Sequence, residues 1–171
     1  AERTLADEFN DGGYHTAYVG KWHLAGGHGR MGSAAQCGRT PVRPMHQGRW
    51  QKWLGFELRN DPFDTYYFED NDPTPHPLGK YQTDGLFDLG MDHLAHGWDR
   101  SSPFCMCISV EPPHNPFVAP PQLQKAWEAR DIQLPANFTA PDATTRQRFI
   151  LDRKRYYAMV ENLDQNVKQY L

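Results

Sequence analysis

Lys21 and His23 stand two residues apart, directly after the run Thr16-Ala17-Tyr18-Val19-Gly20. The β-branched and aromatic residues from Thr16 to Val19 suit a buried strand, and Gly20 lets the backbone turn. If strand geometry continued past Gly20, both side chains would point to the same side. In open α/β sheets, ligands bind outside the carboxyl ends of strands. The pair therefore reads as an anion site, in which Lys21 supplies a point charge and His23 a titratable donor or acceptor. A third candidate, His114, lies in Glu111-Pro112-Pro113-His114-Asn115-Pro116. Prolines on both sides exclude a helix or a paired strand and present the imidazole on a stiff loop. Asn115 could touch a substrate, although beside a proline it also serves as a turn residue.

The elements that must position these groups follow from periodicity. Glu2 to Asn10 carries Leu5, Ala6 and Phe9 on one helical face, stopped by Gly12-Gly13. A helix followed by a strand is the order used by α/β sheets. Gly26 to Arg49 is a loop rich in Gly, Pro and Arg, too long for a simple connection. Trp50 to Phe68 is aromatic-rich, and Asp70 to Lys80 is Pro-rich coil. Asp84 to His96 has near-helical apolar spacing, weakened by Gly90. Pro103 to Val110 suits a buried parallel strand. Gln122 to Arg130 and Thr145 to Leu171 read as helices, with an extended segment between them. Two strands are thus expected and the fold class is α/β, with either an incomplete sheet that exposes apolar edges or association with other copies or segments.

At 171 residues with a formal net charge of −3, the chain fits one domain that could bury roughly 70% of its unfolded surface. Its basic residues are dispersed, which gives no support for nucleic-acid binding. Mean hydropathy is −0.78, and no run approaches the ~20 apolar residues of a membrane span. No secretory signal pattern opens the sequence, because Thr4 to Gly13 reads as a helix and its stop. Of three cysteines, Cys105 and Cys107 share one face of a strand and read as buried free thiols. Cys37 lies in a loop-like segment.

The dodecamer Gly13-Tyr14-His15-Thr16-Ala17-Tyr18-Val19-Gly20-Lys21-Trp22-His23-Leu24 resembles the second signature of the sulfatase family, Gly-Tyr-x-Thr-x-x-x-Gly-Lys-Trp-His-Leu. It departs mildly at Ala25, where the family has glycine; Gly26 and Gly27 follow. Tyr81-Gln82-Thr83-Asp84 resembles the family's Thr-Asp helix. Pro112-Pro113-His114-Asn115-Pro116 resembles its Ala-Pro-His-x-Pro segment, and Tyr156 to Val167 the helix before its metal-binding strand. The resemblance covers nearly the whole of 1–171, least well over 26–80, where substrate-specific insertions lie. It implies a partial alkaline-phosphatase/sulfatase-like sheet with flanking helices. It also implies that Lys21 neutralises sulfate oxygens, that His23 bonds a formylglycine diol and helps expel sulfate, and that His114 contacts sulfate and the leaving-group oxygen. Trp22 is expected to pack beneath the site.

The family takes its nucleophile from a Cys/Ser-x-Pro-x-Arg motif converted to formylglycine, and no such motif occurs in these 171 residues. Its adjacent-Asp metal pair and its later Asp-His-Gly or Asp-Asn-Gly segment are also missing. The chain thus reads as the central part of a sulfatase catalytic domain, inactive alone. Calcium and formylglycine are expected from outside it, and the remainder of the parent chain would complete the sheet. The substrate would be a sulfated small molecule or glycan, and the compartment periplasmic, secreted or lysosomal by resemblance. A phosphate or phosphonate ester hydrolase of the same superfamily remains open, because Lys21, His23 and His114 suit any tetrahedral oxyanion. So does a non-catalytic anion or glycan module built on Arg39, Arg43, Arg49, Trp50 and Trp53. His15, His28, His46 and His76 carry no assigned role. His93 and His96 could face one side of a helix toward a metal, and Asp70 to Asp72 could imitate a calcium loop, although its spacing fails.

Overall fold

Thr4 starts the first helix, α1 (Leu5–Asp11), by a reciprocal capping box in which Asp7 returns a bond to the Thr4 backbone. Gly12 and Gly13 end it, and the chain enters β1 (His15–Lys21). The computed structural model describes residues 2–26 and 33–171; Gly27 and His28 lie outside them. Beyond that gap come a short helix α2 (Ala34–Cys37), a 3-10 turn at Pro44–His46, and the strands β2 (Lys52–Phe56), β3 (Tyr66–Glu69) and β4 (His76–Pro77). Helix α3 (Gln82–Asp92) runs into a π turn at His93–Gly97 and then β5 (Phe104–Ser109). Two compact units divide at residue 111. The second contains α4 (Pro121–Glu128) and α5 (Ala143–Tyr170).

The first unit is built on one mixed sheet in the order β4-β3-β2-β1-β5. Strand β1 pairs in parallel with β2 on one side and β5 on the other, while β3 returns antiparallel to β2. Side chains alternate along each strand as the two-residue period requires. Val19, Leu54, Phe56 and Leu86 form the core on one face, with Met106 and Ile108 packed against it. Tyr18, Trp53 and Val42 fill the other with Trp22, Trp50 and Cys107.

Among the described residues the sheet has five strands where two were expected. Strands β2 and β3 lie inside the aromatic-rich segment and β4 inside the Pro-rich one. Their core positions are aromatic rather than β-branched, so the signal looked like an undirected cluster. Asp70 supplies the missing order: its carboxylate accepts the Trp53 N–H (2.9 Å) and Lys52 (2.8 Å), tying β2 to the turn after β3. This is the structural use of the acidic Asp70–Asp72 loop, where Asp72 accepts the Thr74 N–H at 2.9 Å. Strand β5 is not fully buried. It ends the sheet, its residues are half-exposed, and Phe104 is 42% accessible. Cys37 is buried, whereas Cys105 and Cys107 are thiols only half-buried, not buried as expected, because β5 is the end strand of the sheet.

In the second unit Asp142 caps α5 by accepting the Thr145 N–H at 2.7 Å. Ala119, Ala158 and Met159 form its core with Phe117, Leu123 and Trp127. Trp127 Nε1 donates to Glu161 at 2.6 Å, and Arg155 pairs with Glu128 at 2.7 Å, which locks α4 onto α5.

Candidate active site

The parallel strands β1, β2 and β5 all run the same way, so their carboxyl ends share one edge of the sheet. Lys21 ends β1, Glu57 follows β2 directly, and Glu111 lies two residues past β5. Gly20, just before Lys21, adopts φ +110, which disfavours any residue with a Cβ. It faces Gly55 across one ladder and Ser109 across the other.

Lys21 is mostly buried, and its Nζ donates to Glu111 Oε1 at 2.5 Å. The Tyr18 hydroxyl donates to the Lys21 carbonyl and fixes the turn. Burial pushes the Tyr18 phenol up to about 12, so it remains a donor at neutral pH. Beyond Lys21 the chain is laced to the end of β2. The Trp22 N–H bonds the Phe56 carbonyl (2.8 Å), and the His23 N–H bonds the Glu57 carbonyl (2.9 Å). The fully buried Glu57 carboxylate accepts the Ala25 N–H with both oxygens at 3.1 Å.

His23 departs from the expected geometry. Strand β1 stops at Lys21, and His23 takes a left-handed conformation, φ 55, with an exposed side chain. The alternation argument that put Lys21 and His23 on the same side therefore does not apply. Trp22 packs edge-on against Tyr18 and Trp53, with ring centres 5.0 and 5.1 Å apart.

His114 and Asn115 belong to the second unit, in a turn that is neither helix nor strand. The Asn115 carbonyl lies 2.5 Å from His114 Nδ1, so Nδ1 carries the hydrogen of that bond. Both side chains are exposed. Within the first unit the structure brings Lys21 to Glu111 and laces His23 to Glu57. Neither glutamate stood out in the sequence, because a lone Glu reads as a solvated surface residue. The available signal was position: each directly follows an apolar run ending at a strand's carboxyl end.

Other candidates are spent elsewhere. Arg49 pairs with Asp7 and the Glu2 carbonyl, Arg39 lies over the Tyr66 ring at 4.3 Å, and Arg43 Nη2 is 3.2 Å from His46. Trp53 is 1% exposed and cannot offer a sugar platform. His93 and His96 do not converge: His93 Nε2 meets His15 Nε2 at 2.9 Å, while His96 bonds Asp92 at 2.9 Å. Among the described residues no three His, Cys, Asp or Glu side chains form a metal site. These residues do not fit a cation.

The sulfatase family model matches residues 1–171. The chain belongs to the sulfatase family. It is 28% identical over 166 residues to an ulvan-active sulfatase of Formosa agariphila, covering 97% of this chain and 30% of that protein. It is 26% identical over 137 residues to an N-acetylglucosamine-6-O-sulfatase of Bacteroides thetaiotaomicron, covering 80% of this chain and 21% of that one. The chain thus spans less than a third of the curated relatives it matches. Among solved structures it superposes on yidJ from Bacteroides fragilis with TM-score 0.80 at 18% identity, over 96% of this chain and 38% of that one. It also superposes on BT4656 in complex with D-glucosamine-2-N,6-O-disulfate, with TM-score 0.59 at 19% identity over 98% and 39%. These likenesses fix the mixed α/β architecture as that of the sulfatase fold.

Proposed function

We propose that this sulfatase segment supplies the anion-binding end of a site that hydrolyses sulfate esters, with a sulfated carbohydrate as substrate. The observation that carries the reading is Lys21, a cation held mostly out of solvent at the carboxyl end of the central parallel strand. There its charge is little screened and acts on sulfate oxygens and on charge developing in the transition state. His23 serves as the proton-transfer group that helps release sulfate. His114, with Nδ1–H engaged, orients the ester oxygen and, as the imidazolium, gives its Nε2 proton to the departing alcohol and is left as the neutral ring. Asn115 adds a substrate contact. Formylglycine, calcium and the remaining strands come from parts of the parent protein outside this chain, and the chain alone is inactive. The carbohydrate assignment is supported by relatives named for ulvan and N-acetylglucosamine-6-O-sulfate, and by a structural neighbour solved with a disulfated glucosamine.

The test uses the full-length parent with 4-nitrophenyl sulfate and sulfated oligosaccharides. Lys21→Ala is expected to lower kcat/KM on the order of a hundred-fold or more, with the circular dichroism spectrum unchanged. Full turnover in that folded variant would refute the anion role.

A further inference from the structure

The cation of the proposed site is not alone. Glu111 is the less exposed partner of the Lys21 pair, with its side chain 6% accessible against 15% for Lys21. It is anchored by its backbone: the Glu111 N–H donates to Gln82 Oε1 (3.2 Å), and buried Gln82 in turn donates to Thr65 Oγ1 (3.0 Å). The backbone at Glu111 is thus tied to α3, and its nearly buried carboxylate is held against Lys21 Nζ. Lys21 and Glu111 together carry no net charge. They present ammonium hydrogens to an anion beside a fixed negative charge, and buried Glu57 adds another carboxylate at the end of the neighbouring strand.

This arrangement sorts oxyanions by charge. A sulfate monoester carries one negative charge. A phosphate monoester carries nearly two above its second ionisation, at about pH 6. The extra charge meets Glu111 in a site with little water, where like charges repel strongly. A single negative charge is served by Lys21 with far less opposition. Such repulsion against the wrong ligand is a common source of specificity.

We propose that Glu111 is a specificity-determining residue that positions Lys21 and, through its own charge, favours monoanionic sulfate esters over dianionic phosphate monoesters. This rests on Lys21 being the oxyanion-binding cation.

The experiment compares 4-nitrophenyl sulfate with 4-nitrophenyl phosphate on the full-length parent at about pH 8, where the phosphate ester is dianionic. Glu111→Gln is expected to raise the phosphate-to-sulfate ratio of kcat/KM about tenfold or more. Glu111→Asp, which keeps the charge, is expected to leave the ratio near the parental value. A ratio cancels any loss of folded enzyme, so a partly unfolded variant still reports. An unchanged ratio in Glu111→Gln, or an equal rise in Glu111→Asp, overturns the proposal. If the parent hydrolyses neither ester, calorimetric binding of methyl sulfate and methyl phosphate to the same variants supplies the ratio, and binding of neither anion overturns the anion-site reading itself.

Discussion

Gly20 and Ser109 face each other across the β1–β5 ladder so closely that a Cβ on Gly20 would stand 2.2 Å from the Ser109 carbonyl oxygen. The obstacle is backbone, and φ at Gly20 is already in the region that favours glycine. Gly20→Ala is therefore expected to cost at least ~2 kcal/mol. Because Lys21 is the next residue, the same change displaces the cation. Urea denaturation of the full-length parent and turnover of 4-nitrophenyl sulfate should fall together. A variant of parental stability and activity would show that β5 does not hold β1 this tightly.

Removing either imidazole tests the proton-transfer roles. His23→Ala and His114→Ala are each expected to lower kcat on the order of a hundred-fold or more while leaving the thermal midpoint nearly unchanged, since both side chains are exposed. Steady-state kinetics beside a thermal melt makes the check. Unaltered kcat in either variant removes that histidine from the mechanism.

Acid should weaken the first unit through His93. Burial, then the neighbouring His15 and Lys52, hold the His93 pKa below its ordinary 6.5, against the opposing pull of Asp70 and Asp92. Below about pH 6.5 the unfolded chain binds a proton that the folded chain does not, so stability is full above that pH and declines as pH falls toward the folded value. Denaturation of the parent at about pH 7.5 and about pH 5.5 should show the loss, and His93→Gln should flatten the slope across that window.

The glycan-module alternative is separable by stability. Trp53 stacks on Tyr18, with ring centres 5.1 Å apart, inside the core. Trp53→Ala is expected to cost about 3–5 kcal/mol, so lost glycan binding in that variant would report unfolding. Arg43 is exposed, and Arg43→Ala should change stability by under about 0.5 kcal/mol. Glycan-array binding by Arg43→Ala is the informative measurement, and retained binding counts against a module centred on that loop.

Local signals were legible where period and caps agreed. Thr16 to Val19, the run after Pro103, and the helices around residues 84, 122 and 145 all lie where alternation, Gly stops and Pro boundaries place them. Strands β2 to β4 were not, because their aromatic positions and single prolines mask alternation until β1 provides a ladder for them. The place of Lys21 at the end of β1 was legible from the strand run before it. The turn at His23 was not: the left-handed histidine is held where the Trp22 and His23 N–H groups donate to the Phe56 and Glu57 carbonyls, which are distant in sequence. The burial of Glu57 and Glu111 was equally invisible, since carboxylate burial depends on partners that only the sheet brings near. The Lys21–Glu111 pair joins residues 90 positions apart.

Among the described residues, strand β5 pairs with β1 along one side only and ends the sheet with half-exposed residues. Its outer row of amides and carbonyls is a template on which another extended chain can add. Preparations of this segment by itself should therefore be governed by colloidal behaviour, with aggregation setting in as concentration rises and receding when a peptide is supplied that caps the row.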